Sequence, residues 1–192
     1  MKVLLHAALV LFTLFLSTAS AKDKDKNSLL HAKLIGFEEV PSVSTPASGQ
    51  FQARINPGDA SIDYQLTYQG LQNTVSQAHI HFAQRSVNGS IVIWLCGTAT
   101  NPGPAGTQTC PQTATGLTTV TGTITAANVI AAGTTSQLIL AGELAEVIAA
   151  LRAGFAYANV HGLPLNSGGE IRGQIRLLGK KNGGDDDDED ED

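Results

Sequence analysis

A chain of 192 residues with 42% hydrophobic and 15% charged content can bury one sizeable core, which excludes disorder throughout. Two cysteines exclude a disulfide-dense miniprotein, and 12 basic against 17 acidic residues would repel polyphosphate, so no nucleic-acid partner is expected. Eight of the acids form the run 185–192; setting them aside together with Lys2 leaves 11 basic residues against 9 acidic, so the folded part is close to neutral.

Residues 3–16 make an apolar stretch behind Lys2, and Ala19-Ser20-Ala21 supplies the small side chains of a signal-peptidase site. Residues 1–21 therefore read as a cleaved secretory signal. The competing reading, an uncleaved anchor helix, meets a run shorter than the roughly 20 residues a bilayer span needs. No later stretch is long and apolar enough to cross a membrane, so the mature chain is expected to be secreted, whether extracellular, periplasmic or at the cell surface. Residues 22–28 read as a charged linker, 29–179 as one domain, and 180–192 as a disordered acidic tail. Solubilisation is the simpler role for that tail, and weak capture of divalent cations or a basic partner is the alternative.

From 29 to 178 the pattern is mostly period two, rich in Thr, Val and Ile and punctuated by Gly, Pro and Asn, which predicts antiparallel β structure. In 49–55, Phe51, Ala53 and Ile55 alternate with Gln50, Gln52 and Arg54, and Asn56-Pro57-Gly58-Asp59 turns the chain. In 61–68, Ile62, Tyr64, Leu66 and Tyr68 alternate with polar residues, so the two segments predict a hairpin. Asn88-Gly89, a strong two-residue hairpin signal, separates a strand at 77–82 from one at 90–95. Residues 91–95 are apolar on both faces, as a central sandwich strand would be. Asn88-Gly89-Ser90 is also a glycosylation sequon, meaningful only in a eukaryotic secretory pathway.

Further strands are predicted at 118–125, 137–140, 155–161 and 170–178, and one helix over 143–153. In that helix Leu144, Val147, Ile148 and Leu151 fall on one stripe, and Gly154 supplies the stop. The expected whole is all-β, a single sandwich or Greek-key barrel of about 150 residues with one short crossover helix. Cys96 and Cys110 flank a Pro/Gly/Thr-rich stretch, and an oxidising compartment makes a disulfide between them the default. A thiolate metal site is the lesser reading, because that stretch holds neither a histidine nor a second cysteine pair.

Of five histidines, His6 falls in the leader and His31 stands alone, which leaves His79, His81 and His161. Strand geometry turns residues i and i+2 to one face, so His79 and His81 point the same way and can share one metal. His161 comes from another predicted strand and would complete a three-nitrogen set. Neutral imidazoles suit zinc and copper, and three protein nitrogens leave a fourth position for chemistry. Exposed or hydrogen-bonded imidazoles are the alternative. Nitrogens more than about 6 Å apart would exclude a shared ion, because metal–nitrogen bonds are near 2 Å.

Glu170, Arg172 and Gln174 alternate after the glycine-rich turn Gly168-Gly169, and an ion pair or hydrogen-bond ladder is the simplest account. A catalytic Glu170 would need a cleft and a shifted pKa. No nucleophile elbow, phosphate loop, His-Glu-x-x-His or dinucleotide fingerprint occurs, so no catalytic residue is assigned.

Three segments in order resemble the CHRD, or chordin-type, domain: 32–41, Ala78-His79-Ile80-His81-Phe82 with Asn88-Gly89 after it, and Tyr157-Ala158-Asn159-Val160-His161 followed by 168–174. The resemblance implies an immunoglobulin-like β-barrel and a secreted module with an extracellular protein or glycan partner. Chordin's cysteine-rich modules are lacking, so its growth-factor antagonism is not carried over. More distantly, the His-x-His strand resembles that of copper/zinc superoxide dismutases. That likeness implies copper-binding imidazoles at His79, His81 and His161 and an anion-guiding charge at Arg172. No fourth histidine stands where a bridge to zinc would need one, and no zinc-site aspartate loop is present. Three functions follow as expectations: a binding module holding copper or zinc, a mononuclear copper redox enzyme, and a structural adhesion or matrix module.

Overall fold

The computed structural model describes residues 28–112, 116–133 and 136–178. The expected leader 1–21, all but the last residue of the linker 22–28, and the acidic tail 180–192 lie outside the described residues. Among the described residues nine strands form one sheet: β1 (Leu29–Ile35), β2 (Ser48–Ile55), β3 (Ile62–Gln69), β4 (Thr74–Phe82), β5 (Ser90–Cys96), β6 (Thr118–Ile124), β7 (Ala156–Leu163), β8 (Ile171–Gln174) and β9 (Arg176–Leu177). Every ladder between them is antiparallel. Their order is β5-β4-β7-β8-β1-β2-β3-β6, with β9 beside β1, and the sheet curls into a nearly closed barrel.

Side chains stitch its two ends together. The Tyr64 hydroxyl donates to the Leu95 carbonyl at 2.8 Å, while Gln108 Nε2 donates to the Tyr64 oxygen at 2.7 Å and to the Thr121 carbonyl at 3.0 Å. The interior holds the apolar set that the alternation predicts, including Phe51, Ile55, Ile62, Leu66, Ala78, Ile80, Ala158 and Val160. Burial of each large aliphatic or aromatic side chain stabilises the barrel by roughly 1.5–3 kcal/mol. Helix α1 (Leu144–Ala153) buries Leu144, Val147, Ile148 and Leu151 and ends at Gly154 with φ 82°, as its stripe and stop predict. In its last turn Arg152 clamps Asp59 in the β2–β3 turn with two bonds of 2.6 and 2.8 Å. That pairing holds the Asp59 carboxyl below its usual range.

Three local expectations fail. Residues 137–140 form no strand: Leu138 has φ 53°, which breaks an extended run, and only Ile139 of its apolar trio turns inward. The Gln137 side chain takes the place of a ladder, accepting from the Ser90 N–H at 2.9 Å and donating to the Phe82 carbonyl at 2.6 Å. Asn88-Gly89 makes no two-residue turn, because β4 ends at Phe82 and β5 begins at Ser90, with 83–89 as a longer loop between them. Nor is β5 central. It closes one end of the sheet order, and its apolar outer residues are covered where Ile93 pairs with Val129 and the Ile130 N–H donates to the Val92 carbonyl at 3.0 Å.

Candidate metal centre

Alternation puts Trp94 of β5, His79 and His81 of β4, Tyr157, Asn159 and His161 of β7, and Arg172 and Gln174 of β8 on the outer face of their strands. Register brings them side by side: His79 lies opposite Trp94 and Asn159, His81 opposite Tyr157, and Asn159 opposite Arg172. An outer face is ordinarily wet, yet His79, His81, Asn159, His161, Arg172 and Gln174 are all buried.

Loops supply the cover and much of the hydrogen bonding. From loop 83–89, the Gly89 carbonyl lies 2.9 Å from His81 Nδ1 and the Val87 carbonyl takes an Arg172 N–H at 2.8 Å. Asn88 Oδ1 accepts a second Arg172 N–H at 3.1 Å, and its Nδ2 donates across to the Val40 carbonyl at 3.0 Å. The Ser167 carbonyl lies 2.8 Å from His161 Nδ1. Gln174 Nε2 donates to the Ala83 and Gly154 carbonyls at 3.0 and 2.7 Å.

The three imidazoles converge. His79 lies 5.0 Å from His161 and 5.5 Å from His81 between ring centroids, and one ligand nitrogen from each falls within 4.8 Å of the others. That is inside the limit for sharing one ion. A carbonyl only accepts, so His81 and His161 each spend the Nδ1 proton on the backbone, and Nε2 is left as a lone pair. Those two Nε2 atoms, and both nitrogens of His79, are buried without a hydrogen-bond partner. Burial pushes His79 down to about 2, with His161 and His81 adding to the shift, and His81 down to about 4; His161 is lowered by burial too. All three are neutral donors at pH 7.

Aromatic walls pack the cluster. The Trp94 ring meets His79 edge-on at 4.2 Å; the Tyr157 ring stacks on His81 at 4.6 Å, and the Arg172 guanidinium lies 3.4 Å from the Tyr157 centroid. Arg172 and Glu170 form no ladder. Arg172 goes to Asn88, Val87 and Tyr157, whereas Glu170 Oε1 accepts from Thr45 Oγ1 at 2.8 Å and the Gln72 N–H at 2.7 Å. Cys96 and Cys110 are disulfide-bonded, which fastens the stretch whose Gly103 lies against Trp94.

The CHRD domain profile matches residues 30–175, which cover every strand that carries a member of the cluster. The chain belongs to the CHRD domain family. A CHRD domain points to a binding module with an extracellular setting, which the disulfide fits. Among the described residues no helix is long and apolar enough to cross a membrane. No curated protein and no solved structure matches the chain significantly.

Sequence reasoning did not single out Trp94, Tyr157, Asn159 or Glu39. Tyr157 and Asn159 were open to the same i, i+2 argument that pairs His79 with His81, since they alternate with His161. Glu39 lies in the CHRD-like segment 32–41, but no spacing or partner there marked its side chain for the site. It sits in the loop after β1, 5% exposed, and burial raises its carboxyl to about 7 against the lowering effects of Arg172, the Val40 N–H and Asn159.

Proposed function

We propose that this CHRD domain is an exported binding module that holds one copper or zinc ion through Nε2 of His81 and His161 and a ring nitrogen of His79. The observation that carries the reading is the set of partnerless imidazole nitrogens within 4.8 Å, two of them on rings oriented by backbone carbonyls. A buried polar atom without a partner costs about 1–3 kcal/mol, and a metal ion satisfies three at once. Metal-binding histidines almost always give their other N–H to such an outer acceptor, which orients the ring. A set made only of imidazoles suits copper and zinc and disfavours calcium or magnesium. The leader pattern at 1–21 and the disulfide support export, and N-terminal sequencing of the mature protein is expected to begin at Lys22.

Metal analysis of the purified domain, followed by copper and zinc titration of the metal-free form and of a His79→Ala/His81→Ala variant, tests the reading. One ion per chain that is lost in the variant supports it. Equal affinity in both proteins refutes it and leaves the histidines structural. A superoxide assay on the loaded protein then separates a binding module from a redox enzyme.

A further inference from the structure

Three protein nitrogens leave one position of a tetrahedral ion to another ligand. An unused group lies beside the cluster. Asn159 is 2% exposed, lies opposite His79 in β4 and Arg172 in β8, and sits two residues from His161 in β7. Its amide lies beside the Glu39 carboxyl and His81, and Asn159 Oδ1 has no hydrogen-bond partner. Ionised, as it is above about pH 7, the Glu39 carboxyl only accepts, so it takes the Nδ2–H and leaves Oδ1 turned away from it. Gly169, at φ 126°, lets Glu39 come this close: a Cβ there would stand 2.3 Å from Glu39 Oε1.

A buried amide oxygen of this kind calls for a proton donor, and among the described residues no carboxylate or thiolate joins the three imidazoles to complete the ion's shell. A water or hydroxide on the metal meets both needs. It fills the fourth position and gives an O–H to Asn159.

Resting on the metal-binding reading above, we propose that the fourth ligand is a small protonated oxygen ligand, water or hydroxide, received by Asn159 Oδ1, and that Glu39 is the positioning residue that keeps the Asn159 amide this way round. The site then discriminates against anions that carry no proton, because their lone pairs face that of Oδ1. Glu39 acts through Asn159 and touches neither ion nor ligand.

Cobalt(II), whose visible bands report coordination, is the probe, and azide is the proton-free anion. At pH 8 and above, where Glu39 is ionised, wild-type protein loaded with one cobalt per chain is expected to bind azide weakly. Asn159→Ala and Glu39→Gln, which remove or release the oxygen, are each expected to bind azide roughly tenfold tighter, the scale of one hydrogen bond to a charged group. Gln174→Ala, whose Oε1 is also buried without a partner but which lies opposite Tyr157 with its Nε2 held by the Ala83 and Gly154 carbonyls, is expected to match wild type, which separates positioning from general loosening. Should Asn159→Ala fail to fold, Glu39→Gln alone carries the comparison. Azide affinity unchanged in the variants, or cobalt bands that azide never alters, overturns the proposal while the metal site stands. Failure to bind cobalt, copper or zinc at all overturns the metal reading instead.

Discussion

The two halves of this sheet share one interior and differ on the outside. Over β1, β2 and β3 the outer side chains His31, Lys33, Gln50, Gln52 and Arg54 are exposed, as alternation demands of a wet face. Over β4, β7 and β8 the outer side chains are equally polar and are buried, because loops 36–45, 83–89 and 164–170 lie across them and answer their hydrogen bonds. His31 and His79 therefore have the same position in the period-two pattern and opposite environments. A polar residue on a wet face costs nothing. Under a loop it must be satisfied, and the atoms left over mark where a ligand belongs.

The largest expected effect tests that contrast directly. His79→Ala is expected to weaken metal affinity by more than the roughly 10–100-fold that loss of an outer-shell partner costs, while His31→Ala leaves it unchanged, as isothermal titration would record. Equal losses would erase the distinction between the halves.

Stability offers the next test. Arg172→Met removes a buried cation that ties loop 83–89 to Tyr157, and it is expected to cost about 2–4 kcal/mol in urea unfolding. Lys33→Met on the wet half is expected to change stability by less than about 0.5 kcal/mol. Converting both Cys96 and Cys110 to Ser is expected to cost about 3 kcal/mol, the chain-entropy value for a loop of this size.

The pH dependence sharpens the comparison further. Glu39 rises from 4.5 in the unfolded chain to about 7 in the fold, so between those values the unfolded state has lost a proton that the native state keeps. Metal-free stability contributed by this residue is thus present below pH 4.5 and lost as pH rises through 7, by about 3 kcal/mol in all. The lowered histidines act in the opposite sense at acid pH and cancel when Glu39→Gln is compared with wild type. The two unfolding curves are expected to diverge above pH 4.5, and parallel curves would show Glu39 to be solvated like its counterparts on the wet half. The smallest effect concerns cost. His79→Leu is expected to raise the metal-free melting temperature by a few degrees while abolishing binding, since it removes two unpartnered nitrogens from a buried site.

Much of this was legible in the chain because it depends on period alone. The β2–β3 hairpin, the α1 stripe ending at Gly154, and the common face of His79 and His81 follow from spacings of two or of three and four residues. Strand β1 was not marked off within 29–178, although Leu30, Ala32 and Leu34 alternate and Asn27-Ser28 precede the strand. Leu138-Ile139-Leu140 misled for the converse reason: a short apolar run reads as a strand, and the backbone at Leu138 decided otherwise. Asn88-Gly89 misled because its side chain was needed elsewhere, between Val40 and Arg172.

By itself the sequence determined which side chains share a face, because side-chain direction along a strand is a property of the local backbone. It thereby determined the all-β class, the helix α1 and the pairing of His79 with His81. Only the tertiary structure decided which outer face is buried, that His161 reaches the other two, and that Glu39, Asn159 and the carbonyls of Gly89 and Ser167 surround them. Those facts depend on strand order and loop closure between residues far apart in the chain. Coulomb and hydrogen-bond energies act over ångströms of space, and no spacing in the sequence measures them.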